Sequence, residues 1–334
     1  MKRNVITGAT GLLGSHIAER LIQQGEQVRA LVRPSSDTAF LKSLGVELAV
    51  GDLDDPDSIR KAVGGADVVY HCAARVGEWG PWRAFREGII EPAERVFDAC
   101  RGAGVGRLLH VSSIAVYGHP RERADLFTED EPLGQKLWFR DYYRRAKIQA
   151  EELCRAYPGD WTIIRPSWIY GPRDRTSLPR VFKALRAGRV AIIGRGDNLL
   201  NIIYAADVAE GAVLAAEHPG AVGRAYNLSS DGELTQQQFL DILTDALGRS
   251  RVSRRVPFRI AFWGAFFGEI IAHLIRMRRS PYITRYAVSL VGRSTRYSTD
   301  RARMELGWRP RTPALEGLRR TLEWYSGLVQ AGAA

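Results

Sequence analysis

The segment Thr7-Gly8-Ala9-Thr10-Gly11-Leu12-Leu13-Gly14 constrains this chain more than any other stretch. It follows a short apolar run, Asn4-Val5-Ile6. It leads into His16-Ile17-Ala18-Glu19-Arg20-Leu21-Ile22-Gln23, where apolar positions recur at helical spacing. Strand, glycine turn and helix in that order form the context that a dinucleotide-binding fingerprint requires. Gly8 permits the tight bend, Gly11 lets backbone approach a pyrophosphate, and Gly14 lets the helix pack closely on the strand. Unpaired N–H groups at the helix start, with their partial positive charge, then face the phosphates. The alternative is a merely flexible glycine loop, and the flanking elements count against it.

The same alternation continues downstream. Gln27–Val32, Val46–Val50, Asp67–His71, Arg107–Val111 and Trp161–Arg165 read as further strands, with helical patterns between them. Asp54-Asp55-Pro56-Asp57-Ser58 opens one such helix with an acidic cap and an early proline. Another helical pattern runs from Ile90 to Cys100. Repeated β-α units with apolar strands predict an α/β fold, a Rossmann-type doubly wound parallel sheet covered on both faces. Residues 1–170 form the expected dinucleotide-binding domain, with segments around 201–228 returning to it. Residues 171–330 form a smaller, mostly helical substrate subdomain above the strand ends, where ligands bind in open α/β sheets.

Composition excludes several classes. A chain of 334 residues, 45% hydrophobic and 25% charged, is long enough for a full core. Met1-Lys2-Arg3 leads into the glycine turn and not into an apolar leader, so the expected location is cytoplasmic. Cys72, Cys100 and Cys154 lack metal or redox spacing and read as buried thiols. The six histidines show no ligand spacing either, so no metal is expected. The net charge of +11 is unevenly placed: Arg249 to the C-terminus holds seventeen Arg and five acidic residues, a net of +12. No nucleic-acid motif accompanies these arginines, so no nucleic-acid partner is expected.

Candidate chemistry lies in Asp141-Tyr142-Tyr143-Arg144-Arg145-Ala146-Lys147. Tyr143 and Lys147 are four apart and share a helix face, and a nearby cation favours a phenolate. The spacing alone occurs by chance in many helices. It gains weight from Ser113 thirty residues upstream and from the glycine turn.

Six ordered motifs carry a family resemblance along nearly the whole chain. They are Thr7-Gly8-x-x-Gly11-x-x-Gly14, Gly51-Asp52-Leu53, His71-Cys72-Ala73-Ala74, Val111-Ser112-Ser113, Tyr143-x-x-x-Lys147 and Arg165-Pro166-Ser167-x-x-Tyr170-Gly171-Pro172. The chain resembles the extended short-chain dehydrogenase/reductases of the NAD-dependent epimerase/dehydratase superfamily. Val76-Gly77-Glu78-Trp79-Gly80-Pro81 and the ending Tyr297-Ser298-Thr299-Asp300…Leu306-Gly307-Trp308-Arg309-Pro310 look most like the 3β-hydroxysteroid dehydrogenase branch. That branch also holds bacterial reductases of long-chain keto lipids; dihydroflavonol-reductase-like enzymes are a near second.

The resemblance implies roles for these residues. Tyr143 would protonate a carbonyl oxygen or deprotonate an alcohol, Lys147 would hold the nicotinamide ribose, and Ser113 would hydrogen-bond the substrate oxygen. Ser113 is preferred to Ser112 because it lies four before Tyr117; its bland alternative is a strand-end cap. Cofactor contacts would come from Thr7, Gly8, Thr10, Gly11, Leu12, Leu13 and Gly14, then Arg33, Asp52, Leu53, Ala73, Ala74, Tyr143, Lys147, Pro166 and Ser167. Asp52 would contact adenine and Leu53 cover it, with a helix cap as the alternative for Asp52. One position departs from the pattern: Ile89 stands where relatives carry an asparagine that helps a water reach the lysine.

The second strand ends Leu31-Val32-Arg33-Pro34-Ser35-Ser36-Asp37, with no carboxylate at its tip. A carboxylate there would bind a ribose 2′-hydroxyl, whereas arginine accommodates a 2′-phosphate, so NADP(H) is favoured over NAD(H). Arg33 as a merely solvated charge is the alternative.

On the substrate side, Trp79, Pro81, Trp82 and Phe85 form an aromatic loop, and Trp168 follows Ser167. Trp79, Trp82 and Trp168 are the candidate substrate contacts, with a satellite core as the alternative for the loop. Residues 257–279 combine an apolar, aromatic run with flanking arginines, as an interfacial helix does. It reads as a lid with peripheral membrane contact, as a homodimer interface or core helix, or as a membrane span that glycines and internal charges oppose.

The expected function is NADP(H)-dependent interconversion of a ketone and a secondary alcohol on a hydrophobic substrate, such as a 3β-hydroxysteroid, a sterol-like molecule or a β-keto lipid. A nucleotide-sugar epimerase or dehydratase on the same fold is the alternative, kept open by Arg173 and the C-terminal arginines. A non-catalytic NAD(P)-binding regulatory protein is a second.

Overall fold

Six strands from the first half of the chain, β1 (Arg3–Thr7), β2 (Gln27–Val32), β3 (Glu47–Val50), β4 (Val68–His71), β5 (Arg107–Val111) and β6 (Trp161–Pro166), pair in parallel. A seventh strand, Arg224–Leu228, joins β6 at the edge, also parallel. The spatial order is β3-β2-β1-β4-β5-β6 followed by Arg224–Leu228. The structure is a computed structural model that describes residues 1–330 apart from 123, 124, 231 and 233. Ile6 of β1 lies between Ala30 of β2 and Tyr70 of β4. Strand order reverses there, which opens a crevice above the carboxyl ends of β1 and β4.

Thirteen α-helices accompany the sheet among the described residues. In the first half they are α1 (Leu12–Gln23), α2 (Ala39–Ser43), α3 (Pro56–Val63), α4 (Trp82–Phe85), α5 (Glu91–Ala103) and α6 (Tyr142–Arg155). The second half contributes α7 (Ser177–Arg186), α8 (Ala205–Glu217), α9 (Gln236–Ala246), α10 (Phe258–Leu274), α11 (Arg285–Gly292), α12 (Asp300–Leu306) and α13 (Ala314–Gln330).

One face of the sheet is covered by α1, α8 and α12, which bury Ile17, Leu21, Val208, Ala212 and Leu306. Trp308 follows α12 into the same core and donates its indole N–H to Asp207 O at 2.9 Å. Residues 300–308 therefore also pack on the sheet, beyond the 201–228 return expected from sequence. The other face is covered by α3, α5 and α6 through Ile59, Val63, Val96, Phe97, Ala146 and Ala150. A separate core under α7, α9 and α13 contains Tyr170, Leu178, Phe182, Phe239, Leu243 and Leu318.

The helix expected from Ile90 starts earlier, and it is not regular. α4 runs into a π-helical turn, Arg86–Ile90, before α5 begins. Pro92 explains the irregularity: it has no N–H to give the carbonyl four residues back. That carbonyl, Gly88 O, instead accepts the Arg75 N–H at 2.8 Å and ties the loop after β4 to the helix.

No helix among the described residues is long and apolar enough to cross a membrane. α10 has 17 residues, and its length falls short of the ~20 that span a bilayer. The membrane-span alternative for 257–279 is thereby removed.

Candidate active site

The glycine turn sits at the crevice. Gly8 adopts φ +73°, and a Cβ there would lie 2.8 Å from the Ala73 backbone. A Cβ on Gly14 would lie 2.3 Å from Gly8 O. Both positions therefore exclude a side chain, and Gly11 N–H closes the turn onto Gly8 O at 3.0 Å. Gly11 caps α1 without a side-chain partner, and no acidic residue occupies the first turn. The helix start keeps its positive end for an anion. Thr7 places its hydroxyl 2.8 Å from His71 Nδ1 and faces the Ala73 N–H, so β1 and β4 are joined beside the turn. Ser167, after Pro166 at the end of β6, is buried with an Oγ that has no partner. A closely approached backbone and an orphan hydroxyl fit a bound dinucleotide.

Around the adenine end the candidate residues are looser. Arg33 is exposed immediately after β2. The nearest acid downstream, Asp37, is held by Arg175 at 2.7 Å. Asp52 is exposed, and its Oδ1 accepts the Asp54 N–H at 3.1 Å. The cap of α3 is Asp55, which accepts the Asp57 N–H, so the helix-cap alternative for Asp52 does not hold.

The serine, tyrosine and lysine converge. Tyr143 and Lys147 lie one turn apart on α6, and the Ser113 hydroxyl is one of the groups that act on the Tyr143 phenol. Ser113 also accepts the Ala115 N–H at 3.2 Å as cap of a short 3₁₀ turn, so it fills the bland role as well. Ser112 points elsewhere, donating to Glu151 Oε2 at 2.8 Å. Lys147 is buried and donates to Val111 O at 3.0 Å, and burial lowers its ammonium to about 8.

The phenol of Tyr143 moves up, opposite to what a neighbouring cation alone would give. Burial drives it, Glu78 adds to it, and Arg144 and the Ser113 hydroxyl oppose it. The cation that acts on the phenol is Arg144. Lys147 is not among the groups that move it.

Glu78 and Arg144 were not chosen as candidate site residues, although Glu78 stands in the Val76–Pro81 motif; both act on the Tyr143 phenol. Arg144 is buried, donates to Gly118 O at 3.2 Å and to Asp141 at 2.8 Å, and lies over the Tyr286 ring at 4.2 Å. Its remaining Nη2 lies 3.7 Å from Glu78 Oε1. Burial pushes the Glu78 carboxyl up to about 8; Arg144 opposes this, and Asp141 and Glu269 add to it. Burial also works to raise Asp141, but His119, 2.7 Å away, and Arg144 outweigh it. His119 itself is lowered to about 4 by burial and is neutral at pH 7. One signal was available in sequence: a glutamate inside the aromatic Glu78-Trp79-Gly80-Pro81-Trp82 loop.

Ile89 is buried at the end of the π turn, in the core against which Tyr143 packs, and offers no polar atom. The aromatic candidates separate. Trp79 stacks on His273 at 4.2 Å and donates to Met277 O at 2.8 Å, while Trp82 packs on Tyr142 at 5.6 Å. Trp168 packs edge-on against Phe239 in the α7/α9/α13 core and does not join them. Arg173 is committed to Ser15 at 3.0 Å and Glu19 at 2.6 Å, and stacks on Phe40. No cluster of metal ligands occurs among the described residues.

Residues 4–229 match the model of the NAD dependent epimerase/dehydratase family. The chain is 32% identical over 327 residues to a 2-alkyl-3-oxoalkanoate reductase of Stenotrophomonas maltophilia (strain K279a), covering 95% of this chain and 97% of that protein. It is 29% identical to a 3-beta-hydroxysteroid dehydrogenase of Mycolicibacterium neoaurum, covering 99% and 93%. The crystal structure of gox2253 has a TM-score of 0.81 at 28% identity, covering 100% of this chain and 99% of that one. UDP-glucuronic acid 4-epimerase from Bacillus cereus, solved in complex with NAD, shares the fold with a TM-score of 0.75 at 21% identity, covering 98% and 99%.

Proposed function

This chain belongs to the NAD dependent epimerase/dehydratase family, and on that premise we propose that it is an NADP(H)-dependent oxidoreductase interconverting a ketone and a secondary alcohol on a hydrophobic substrate. The observation that carries this reading is the placing of Tyr143 and Lys147 one turn apart on α6, with the Ser113 hydroxyl acting on the Tyr143 phenol. The names of the relatives, a keto-acid reductase and a steroid dehydrogenase, support the reaction type.

A nicotinamide held there would supply or accept the hydride. The protein handles the proton. Burial keeps the Tyr143 phenol protonated, which suits an acid that gives its proton to a carbonyl oxygen. Ser113 holds that oxygen as negative charge develops on it. Arg144 favours the phenolate left behind, and Glu78 opposes it. Lys147 keeps N–H groups beyond the one given to Val111 O, and these would hold the ribose.

Preference for NADP(H) is supported by Arg33 at an exposed strand end and by the engagement of Asp37 with Arg175. Equilibrium titration with NADPH and NADH tests it. Tighter NADPH binding that is lost in Arg33→Ala is expected; equal affinities unchanged by the substitution would overturn the preference. The commitment of Arg173 to α1 weighs against the sugar-nucleotide alternative. An assay with steroid ketones, 3-oxo acids and nucleotide sugars should show net NADPH consumption with the first two. Sugar conversion without net consumption would contradict the proposal.

A further inference from the structure

α10 has an uncovered apolar back. Its inner side packs Ala261 and Ala265 against Ile193 and Val288. Glu269 pairs with Arg285 at 2.7 Å, His273 stacks on Trp79, and Phe262 meets Trp138. Its outer side carries Ile260, Trp263, Phe267, Ile270, Ile271 and Leu274, spaced three and four apart on one face. Trp263 is 54% exposed, Phe267 57%, Ile271 58% and Leu274 77%. Gly264 and Gly268 meet nothing of this chain where a Cβ would stand. Contiguous exposed apolar surface of this kind marks an interaction site.

Charge decides what covers it. Arg254 and Arg259 flank the start of the stripe, and Arg276, Arg278 and Arg279 flank its end; all five are exposed. Among the described residues no carboxylate pairs with them, and the one acid of α10, Glu269, is turned inward. A second copy docking by two-fold symmetry would set this basic rim against itself, because such an interface is self-complementary. Anionic lipid headgroups complement it, while the Trp and Phe side chains enter the acyl boundary.

We propose that the outer face of α10, rimmed by Arg254, Arg259, Arg276, Arg278 and Arg279, is a peripheral docking surface for anionic membrane. The helix lies in the membrane plane and does not span it. Its inner side holds Trp79 of the substrate loop, so docking sets that loop at the lipid boundary. An apolar substrate then passes from lipid to site without crossing water; this clause alone rests on the oxidoreductase reading.

Co-sedimentation of the full chain with phosphatidylcholine vesicles, with and without phosphatidylglycerol, tests the proposal. Neither substrate nor cofactor is needed, so the outcome is independent of catalysis. Binding to the anionic vesicles in low salt, weakened at high salt, is expected. Arg276→Ala/Arg278→Ala/Arg279→Ala should weaken it on the order of 100-fold. Phe267→Glu/Ile271→Glu should abolish it with an unchanged melting temperature. Absence of binding to either vesicle, or binding that ignores lipid charge, would overturn the proposal. So would a concentration-dependent dimer in sedimentation velocity that Phe267→Glu/Ile271→Glu dissolves, since that assigns the face to a second copy.

Discussion

At the scale of single residues, the site is defined by which side chains are kept neutral. Burial pushes the Glu78 carboxyl up to about 8, against Arg144. Its folded pKa of about 8 lies above that of a free glutamate, ~4.3. The folded state therefore binds the extra proton between these values, and stability falls as pH rises through that window. Thermal melts at pH 5 and pH 8 should show a larger loss for the native chain than for Glu78→Gln. Identical losses would place Glu78 in a wetter setting than the structure shows. For Ser113→Ala, kcat should drop about 10²–10³-fold, because an oxygen that gains charge loses its donor; cofactor affinity should not change. Tyr143, Lys147 and Ser113 were legible from spacing and motif order. Glu78 and Arg144 were not, because their meaning arises where the loop after β4 meets α6 and α11, a convergence that no local pattern encodes.

At the scale of elements, the strands were readable because buried parallel strands are continuous apolar runs. Arg224–Leu228 departs from that pattern, since Asn227 is buried within it. The π turn at Arg86–Ile90 was not readable as such, although its cause, Pro92, stands in plain view. The glycine turn was legible in position and in the bend at Gly8 and the close packing at Gly14. A Gly14→Ala substitution forces Cβ against Gly8 O, and overpacking of this sort costs about 1–3 kcal/mol. Denaturant titration should register that loss together with weaker dinucleotide binding. Unaltered binding would mean that the turn does not carry the pyrophosphate.

A second element-scale link joins α6 to β6. Arg165 is buried, donates to both Glu151 and the Tyr117 hydroxyl, and reaches Glu129 O at 3.2 Å. Removing one partner leaves an uncompensated buried charge. Arg165→Ala should cost about 3–5 kcal/mol in unfolding free energy, whereas a loss under 1 kcal/mol would mean that water reaches Glu151.

At the scale of the whole molecule, the three largest cores among the described residues divide the work. Two clamp the sheet whose crevice holds the glycine turn, and the third supports the C-terminal helices beside it. The charge imbalance seen in sequence becomes spatial: five of the C-terminal arginines rim α10, the helix whose His273 stacks on Trp79. Two-sheet-face packing was foreseeable from the β-α alternation; the contact of α10 and the turn after it with the aromatic loop joins residue 79 to 273 and 277 and had no local signal. The measurement that bears most directly on the assigned chemistry is NADPH-dependent reduction of 3-oxo acids and steroid ketones at pH 7, followed by cofactor oxidation and by the secondary alcohol formed. Native protein should turn over at least one of these, and Tyr143→Phe should lower kcat roughly 10²–10⁴-fold while NADPH binding changes less than about twofold. Turnover that survives Tyr143→Phe undiminished would contradict the role assigned to this tyrosine.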